Sequence, residues 1–264
     1  MTLPAGGRLL RCLLIGMAWA HAQAGPPFRT DDPQPVDLGH VELYLFSSGQ
    51  RTTGNHSGIG PALEFNAGIL PDTQVHVVVP WAYDRTQGVP TQSGLGDLEV
   101  GLKYRFLHET AALPQVGVFP LVEIPTGRSE QGLGSGHTQV LLPVWVQKGW
   151  GPWTTYGGCG WWRNPGAENR NWHYAGWLVQ RDLGEKVTLG AEVFRATAAT
   201  VTGRASTGIN VGGQVNVSEK HHVLFSVGRN VSGDRQSTFY LGYQLTAGPF
   251  GALRDWLRPG HPHT

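Results

Sequence analysis

The stretch Gly94–Phe106, GLGDLEVGLKYRF, restricts the possible folds of this chain more than any other segment. From Leu98 to Phe106 every second side chain is aliphatic or aromatic, and the alternate positions from Asp97 to Arg105 carry four charges in five positions. Successive strand side chains point to opposite faces, so the pattern predicts a strand with one apolar and one charged face. Such a strand of about ten residues suits the wall of a membrane-spanning barrel, with the charges inside.

The composition agrees with a membrane barrel better than with a soluble domain. Charged residues make up 15% of the 264 residues, whereas about a quarter is usual and soluble surfaces need charge to stay dispersed. After the first residues no run of about eighteen apolar residues occurs, which excludes transmembrane helices. We therefore predict an all-β fold, a single up-and-down antiparallel transmembrane β-barrel of about twelve strands.

Residues 1–24 have the features of a cleaved signal peptide. Arg8 and Arg11 form a positive start, Cys12–Ala20 is a short apolar core, and Ala22-Gln23-Ala24 fits the small-x-small cleavage rule. Because Arg11 precedes Cys12, a lipid anchor is not expected. Export followed by membrane insertion predicts the bacterial outer membrane as the location.

The mature chain should begin at Gly25 and be close to neutral. Loss of two of the 20 basic residues leaves 18 against 19 acidic residues, which gives no support to nucleic-acid binding. Cys159 would be its one remaining cysteine, so no intramolecular disulfide can form.

Connections of alternating length support the barrel. Pro71-Asp72 and residues 148–152, 182–186 and 218–220 are short links, and 107–114 is moderate. Longer links rich in glycine and polar residues lie between them, at 50–57, 84–93, 125–136, 163–171, 196–204 and 230–237. This is typical of short periplasmic turns and longer extracellular loops. The domain prediction is a proline-rich leader or lumen plug at 25–38, the barrel at 39–246 and a periplasmic tail at 247–264.

Two prolines conflict with continuous strands. Pro120 and Pro143 lie inside proposed strands, where proline removes a donor from the hydrogen-bond ladder. They lie almost opposite each other across the 125–136 loop, so we predict one shared bulge or gap at this point of the wall.

Aromatic residues cluster near the predicted strand ends, and two belts at the headgroup levels are expected for this class. The alternative is that they fill a soluble β core. The residues predicted for the outer rim are Trp81, Tyr83, Trp161, Trp162, Trp172, Phe239 and Tyr240. Those predicted for the inner rim are Tyr104, Phe106, Trp150 and Trp153.

Charges on the inward faces are the candidate functional residues. They either line a wet lumen and select what passes, or pair across a narrow barrel and seal it. The predicted lumen residues are Glu42, Glu64, Asp97, Glu99, Lys103, Arg105, Glu123, Lys186 and Glu192. Residues 25–33 could fold inside as a plug, with Arg29, Asp31 and Asp32 meeting wall charges; the alternative is a disordered leader.

An enzyme is the less favoured interpretation. Cys159 and His173 lie on adjacent predicted strands and could serve a lipid hydrolase, but no nucleophile motif frames them. His221-His222 and the terminal histidines lack accompanying acids or cysteines at ligand spacing, so no metal is predicted. No Walker or dinucleotide glycine pattern precedes a helix, and no cofactor is expected.

Three short motifs resemble a known family. PFRTDDP (Pro27–Pro33), SGLGDLEVGLKYRF (Ser93–Phe106) and VEIPTG (Val122–Gly127) are similar to exported bacterial proteins grouped as the MetA-pathway of phenol degradation family. The resemblance implies an outer-membrane barrel that passes small, often aromatic, molecules. Such barrels usually end on a strand with a terminal aromatic that the barrel-assembly machinery recognises, whereas this chain continues past Tyr243 and Phe250 to Thr264.

Together these patterns predict a passive channel for small, hydrophobic or aromatic solutes, held in outer-membrane lipid. A closed structural or adhesive barrel with binding loops is the alternative, and a lipid hydrolase is the second alternative. Transport would be downhill, because no nucleotide site accompanies the barrel.

Overall fold

A computed structural model of the protein describes residues 26–249. The predicted signal peptide and residues 250–264 of the predicted tail lie outside these residues, whereas Ala247, the first residue of the predicted tail, belongs to the last strand. Within them, no helix has the length and apolarity needed to cross a membrane. The strands are β1 (Val41–Thr52), β2 (Asn55–Leu70), β3 (Thr73–Thr86), β4 (Gln92–Leu95), β5 (Leu98–Leu107), β6 (Gln115–Val118), β7 (Leu121–Ile124), β8 (Gln139–Trp150), β9 (Trp153–Arg163), β10 (Trp172–Asp182), β11 (Val187–Ala196), β12 (Ser206–Asn216), β13 (His221–Ser232) and β14 (Ser237–Ala247).

These strands form one closed antiparallel barrel with twelve wall positions. β4 and β5 both pair with β3 and together make one wall strand, and β6 and β7 together make the next, since both pair with β5 and β8. Every other neighbour in the wall is the next strand in sequence, and β1 pairs with β14 from Val41↔Ala247 to Arg51↔Ser237. Pairing of β1 with β14 closes the wall and satisfies most of its backbone groups within the sheet, and among these strands β4 pairs on one side only, with β3. The predicted fold class is confirmed.

The two conflicting prolines meet at a gap in the ladder, as predicted. β6 pairs with β8 as far as Val118↔Val144, and β7 resumes the pairing at Leu121↔Leu141. Pro120 and Pro143 lie in the interval, and the register is the same on both sides of it. The Pro120 carbonyl still accepts a hydrogen bond from Leu102 N at 3.1 Å. The wall therefore tolerates two prolines without a change of register.

Two of the predicted long outer links are instead strand hairpins. β1 and β2 remain paired to Thr52↔Asn55, so a tight turn with Gly54 at φ 80° replaces most of the predicted 50–57 loop. β13 and β14 likewise reach the short turn 233–236. The polar residues in these two segments belong to paired strand ends that extend beyond the membrane into water. They do not form loops. The longest outer connection, 125–138, contains a 3-10 turn at Ser129–Gln131.

The outward face of the wall is apolar, and the inward face is mixed. In β1 the outward Leu43 and Leu45 are 38% and 50% exposed, whereas the inward Tyr44 and Phe46 are buried. The same alternation runs through β3, β5, β10 and β11. Inside the barrel, hydrophobic clusters form around Trp145, as well as around the inward residues of β1. The barrel is thus partly filled by its own side chains.

Asp72 stabilises the tight turn between β2 and β3. This turn lies at the same end of the barrel as the start of β1 and the end of β14. Asp72 has φ 57°, and it accepts hydrogen bonds from Arg105 Nε at 3.0 Å and Nη2 at 2.6 Å. His108 Nε2 lies 2.9 Å from its second oxygen. Partial burial opposes ionisation of Asp72, but the hydrogen bonds from Arg105 and His108 outweigh it and lower the pKa of Asp72.

Asp72→Asn is expected to reduce the stability of the folded barrel by about 0.5–1 kcal/mol, since the amide keeps the turn but loses the ion pair with Arg105. The lowered pKa means that this stabilisation is present above the unfolded value of about 3.9 and is lost as pH falls through the lower, folded value. Denaturant titration followed by heat-modifiable gel migration measures it. Asp234→Asn, at an exposed turn, is the control. Equal midpoints for wild type and Asp72→Asn at pH 7 would contradict the prediction.

Candidate functional site

The N-terminal segment lies inside the barrel. Residues 26–38, called the luminal segment below, contact inward side chains from strands around the wall. Thr30 and Asp32 are fully buried. Ser226 of β13 donates a hydrogen bond to the Pro27 carbonyl at 2.5 Å, and Val36 N donates to Gln74 of β3 at 2.8 Å. A proline-rich segment suits this position, because it offers few backbone donors that need partners in the lumen.

Glu192 of β11 receives the first turn of the luminal segment. Its two carboxylate oxygens accept hydrogen bonds from Arg29 N at 2.9 Å and Thr30 N at 2.8 Å. Asn210 of β12 donates a third at 2.5 Å. The Thr30 hydroxyl lies 3.1 Å from the Tyr174 hydroxyl. One buried carboxylate thereby accepts hydrogen bonds from two backbone N–H groups that lie outside the strands. Buried polar groups are normally paired in this way.

Lys103 of β5 holds the middle of the luminal segment by charge. Its ammonium donates to Asp31 at 3.0 Å and lies 3.8 Å from an Asp32 oxygen. It also lies 4.9 Å from the centre of the Phe119 ring. The Lys103 side chain is 5% exposed and the Asp32 side chain 0%. Charges withdrawn from water to this degree depend on each other, because loss of one partner leaves the other buried and uncompensated.

A second polar network lies on the wall opposite the Glu192 contact. His76 of β3 lies 2.7 Å from Asn66 through Nδ1 and 2.8 Å from Glu99 through Nε2. Asn66 donates to Glu64 at 2.7 Å, and Tyr44 donates to Glu42 at 2.7 Å. These side chains come from four neighbouring wall strands, β1, β2, β3 and β5. The network fixes the orientation of the acids that line the lumen.

Asp97, at the break between β4 and β5, fastens the longest outer loop over the lumen. Its carboxylate accepts hydrogen bonds from Gly127 N at 2.9 Å, Ser135 N at 2.6 Å and Ser135 Oγ at 2.7 Å. Gly127 and Gly134 approach Asp97 so closely that an added Cβ would lie 3.1 Å and 2.3 Å from its Oδ1. The loop is therefore folded against the wall.

Three cavities remain around the luminal segment. One of about 360 Å³ lies toward the end of the barrel where β1 begins, the predicted periplasmic end, between the segment and the acids of β1 and β2. Two of about 510 and 580 Å³ lie on the outer side. Phe28 lines all three. The 510 Å³ cavity combines aromatic and aliphatic walls, including Phe46 and Tyr240, with acidic side chains. Its charged lining residues are Glu64, Asp97, Glu99 and Glu123.

Most of the predicted lumen residues have inward positions. Glu42, Glu64, Glu99, Lys103, Glu123 and Glu192 lie on the inward face, and Asp97 and Arg105 lie near opposite ends of β5. The placement of Lys186 in the lumen is wrong. It is exposed in the turn before β11, whose first residue is Val187. Strand parity assigns residue 186 to the inward face, but β11 begins one residue later, and Lys186 lies in a turn that faces water.

The predicted aromatic belts need three corrections. Trp162 and Trp172 point inward, where they stack on each other at 5.4 Å and pack against the cluster around Trp145. Tyr240 also points inward and stacks on Phe46 at 5.2 Å. The physical reason is the alternation of side chains along a strand. Each of these three aromatic residues is next to an outward residue, so its own side chain points inward. The others point outward: Trp81, Tyr83, Trp161 and Phe239 toward the outer rim, and Tyr104, Phe106, Trp150 and Trp153 toward the inner rim.

Cys159 and His173 lie on the outward face of β9 and β10. Cys159 pairs with Ala175 in the ladder and His173 pairs with Trp161, so the two residues are offset by two positions. Cys159 is exposed as a free thiol. The side chains that the sequence alone missed are inward ones: His76, Tyr174, Gln115 and Asn210. Parity could have identified each of them, but not the partner that each one contacts.

A closed antiparallel wall, apolar outside and polar inside, defines the class of outer-membrane-type β-barrels. Among solved structures, an outer membrane channel from Pseudomonas putida F1 is similar, with 15% identity over 82% of this chain and 98% of that chain and a TM-score of 0.68. The KdgM porin, solved in complex with disordered oligogalacturonate, is 11% identical over 78% of this chain and 99% of its own, with a TM-score of 0.56.

The NanC porin is 9% identical over 77% of this chain and 98% of that chain, with a TM-score of 0.52. No protein-family model matches the chain, and a search of curated proteins gives no match. At such identities the similarity establishes the fold alone.

Proposed function

We propose that this protein is an outer-membrane channel through which small solutes diffuse passively, and that the luminal segment obstructs it in the conformation described above. The observation that carries the proposal is a twelve-strand barrel whose interior retains cavities, each lined in part by acidic side chains, on both sides of one inserted segment. A barrel of this size encloses more room than an eight-strand one, which side chains alone can fill. Similar barrels that are channels and porins support the proposal.

The solute class that best fits the outer cavities is small, aromatic or hydrophobic, and neutral or cationic. A cavity of about 510 Å³ is within the range that small ligands occupy. Phe28, Phe46 and Tyr240 offer aromatic surface, while the four acids disfavour anions. This class agrees with the resemblance to the MetA-pathway of phenol degradation family, and membership in that family is part of the proposal. Export through the predicted signal peptide and insertion by the barrel-assembly machinery belong to it as well.

Planar-bilayer recording of the refolded mature protein tests the proposal. Discrete conductance steps with preference for cations are expected in a potassium chloride gradient, and added neutral phenols should reduce the current by occupying the lumen. A flat baseline from well-inserted protein, persisting after removal of the luminal segment, would favour the closed structural barrel instead.

Glu123→Gln is expected to lower the ratio of cation to anion permeability by about twofold. Glu123 lines both outer cavities, and a unit charge ~8 Å from a permeating ion in a water-like dielectric contributes roughly 0.5 kcal/mol. Reversal potentials measure the ratio. Glu219→Gln, in the exposed turn between β12 and β13, removes the same charge away from the lumen and should leave the ratio unchanged. An equal shift in both variants would mean that Glu123 does not face the ion path.

A further inference from the structure

A row that contains three arginines and one histidine crosses five adjacent strands on the outward face, at the outer end of the barrel. In the ladder, Arg229 of β13 pairs with Ser237 of β14, and Ser237 pairs with Arg51 of β1. Arg51 pairs with His56 of β2, and His56 pairs with Arg85 of β3. All five are at positions of outward parity. With strands about 4.8 Å apart, the row is about 19 Å long.

No acidic side chain of these five strands shares the outward face with the arginines of the row. Its three arginines are exposed, and none of them forms a salt bridge within residues 26–249. All acidic residues of the five strands have inward parity. They are Glu42, Glu64 and Asp84. Placing every acid inside and every arginine on the outward face of one sector leaves a surface that attracts anions.

An aromatic layer lies directly beneath the row, toward the membrane. Two positions down the ladder, Phe239, Gly49, Gly58 and Tyr83 are aligned across β14, β1, β2 and β3. An added Cβ at Gly49 would lie 2.6 Å from the Tyr83 hydroxyl and 2.8 Å from the Phe239 ring, so both side chains cover this glycine. Aromatic belts of barrels lie at the headgroup level. The arginines are therefore located where the headgroups of the outer leaflet begin.

The row also lines a depression rather than a flat surface. A cavity of about 1310 Å³ is bordered by the arginines and His56, by residues 87–91 between β3 and β4, and by the turn between β13 and β14, which adds Arg235. We infer that this groove, called the arginine groove, binds the phosphate groups of an anionic outer-leaflet lipid of the phosphorylated glycolipid class. Its acyl chains would lie along the aromatic and aliphatic wall below.

The chemistry of the groove favours a lipid over a free anion. Guanidinium groups match phosphate in bidentate geometry, and anionic headgroups attract arginines near a membrane surface. Arg51 lies two strands from Arg229 on one side and two strands from Arg85 on the other. Successive arginines are therefore about 10 Å apart, which suits a headgroup with more than one phosphate. A free anion would gain nothing from the apolar layer, whereas a lipid contacts both.

The test titrates the full-length mature protein in detergent with diphosphorylated lipid A, and native mass spectrometry counts the bound lipid. The variant R51Q/R85Q/R229Q is expected to bind on the order of a hundredfold more weakly. The matched control is R163Q/R195Q/R204Q, which removes three exposed arginines near the outer ends of β9 and β11 and from the following loop. It should bind like wild type. Heat-modifiable migration verifies folding, and Arg51→Gln alone, with a severalfold loss, serves if the triple variant does not fold.

Three results would overturn the inference. Equal binding of lipid A from which both phosphates have been removed would show that acyl chains alone are recognised. An equal loss in the control triple variant would show a general effect of charge. Competition by inorganic phosphate at the lipid's own concentration would show a free-anion site.

Discussion

Deletion of residues 26–36 is expected to raise the single-channel conductance severalfold. The luminal segment occupies the middle of the barrel, with Thr30 and Asp32 fully buried, and it separates the periplasmic cavity from the two outer ones. Its removal is expected to join the cavities into one hydrated path, because the wall side chains that hold the segment, Glu192, Gln74 and Lys103, are polar. Recording of full-length and truncated protein, refolded in parallel and inserted in the same lipid, measures the difference.

Phe28→Ala provides a graded version of the same experiment. Phe28 lines all three cavities, so its truncation should give a smaller rise in conductance while the rest of the segment stays in place. Leu38→Ala, at the exposed end of the segment and outside the lining of all three cavities, is the control and should conduct like wild type. If the truncated barrel conducts no better than the full chain, the luminal segment is not the barrier to flow, and the side-chain clusters of the wall become the candidates.

The fold was predictable because its main determinant is local. Alternation along a strand is visible in GLGDLEVGLKYRF, and it decides which face meets lipid before any partner strand is known. Alternation no longer identifies the strands where the chain leaves the membrane. At Gln50–Ser57 the residues are polar on both faces, as in a loop, yet pairing continues to Thr52↔Asn55. In water a strand needs no apolar face, so the periodicity that reveals a strand disappears before the strand ends.

The sequence predicts which side chains of the candidate site point inward, but it does not predict which residues they contact. Parity placed Lys103 and Glu192 inside the barrel, but the contact of Lys103 with Asp31 joins positions 72 residues apart, which no local pattern encodes. Trp161 and Trp162 show the limit of parity itself. Both are aromatic, so the sequence does not distinguish the outward residue from the inward one. Only the register with β8 and β10 assigns them.

Lys103→Met is expected to release the luminal segment and increase the conducting fraction. Breaking a buried ion pair costs about 3–5 kcal/mol. This is an upper bound here, because Asp31 is 22% exposed and solvent screens its charge. Asp31 and Asp32 would be left in the lumen without their cation. If the luminal segment moves out of its position, water solvates both carboxylates. In a Cys159→Ala background, Thr30→Cys should react faster with a membrane-impermeant thiol reagent, and conductance should rise with it.

Compensation distinguishes loss of the charge pair from loss of packing. The cost of Lys103→Met is attributed to two buried carboxylates that have lost their cation. Adding Asp31→Asn and Asp32→Asn should therefore return thiol reactivity and conductance toward wild-type values, because uncharged amides can remain in the lumen. Lys103→Arg keeps the positive charge and should stay closed. A combined variant as open as Lys103→Met alone would contradict the electrostatic account. The aliphatic part of Lys103, packed beside the Phe119 ring, would then be what holds the segment.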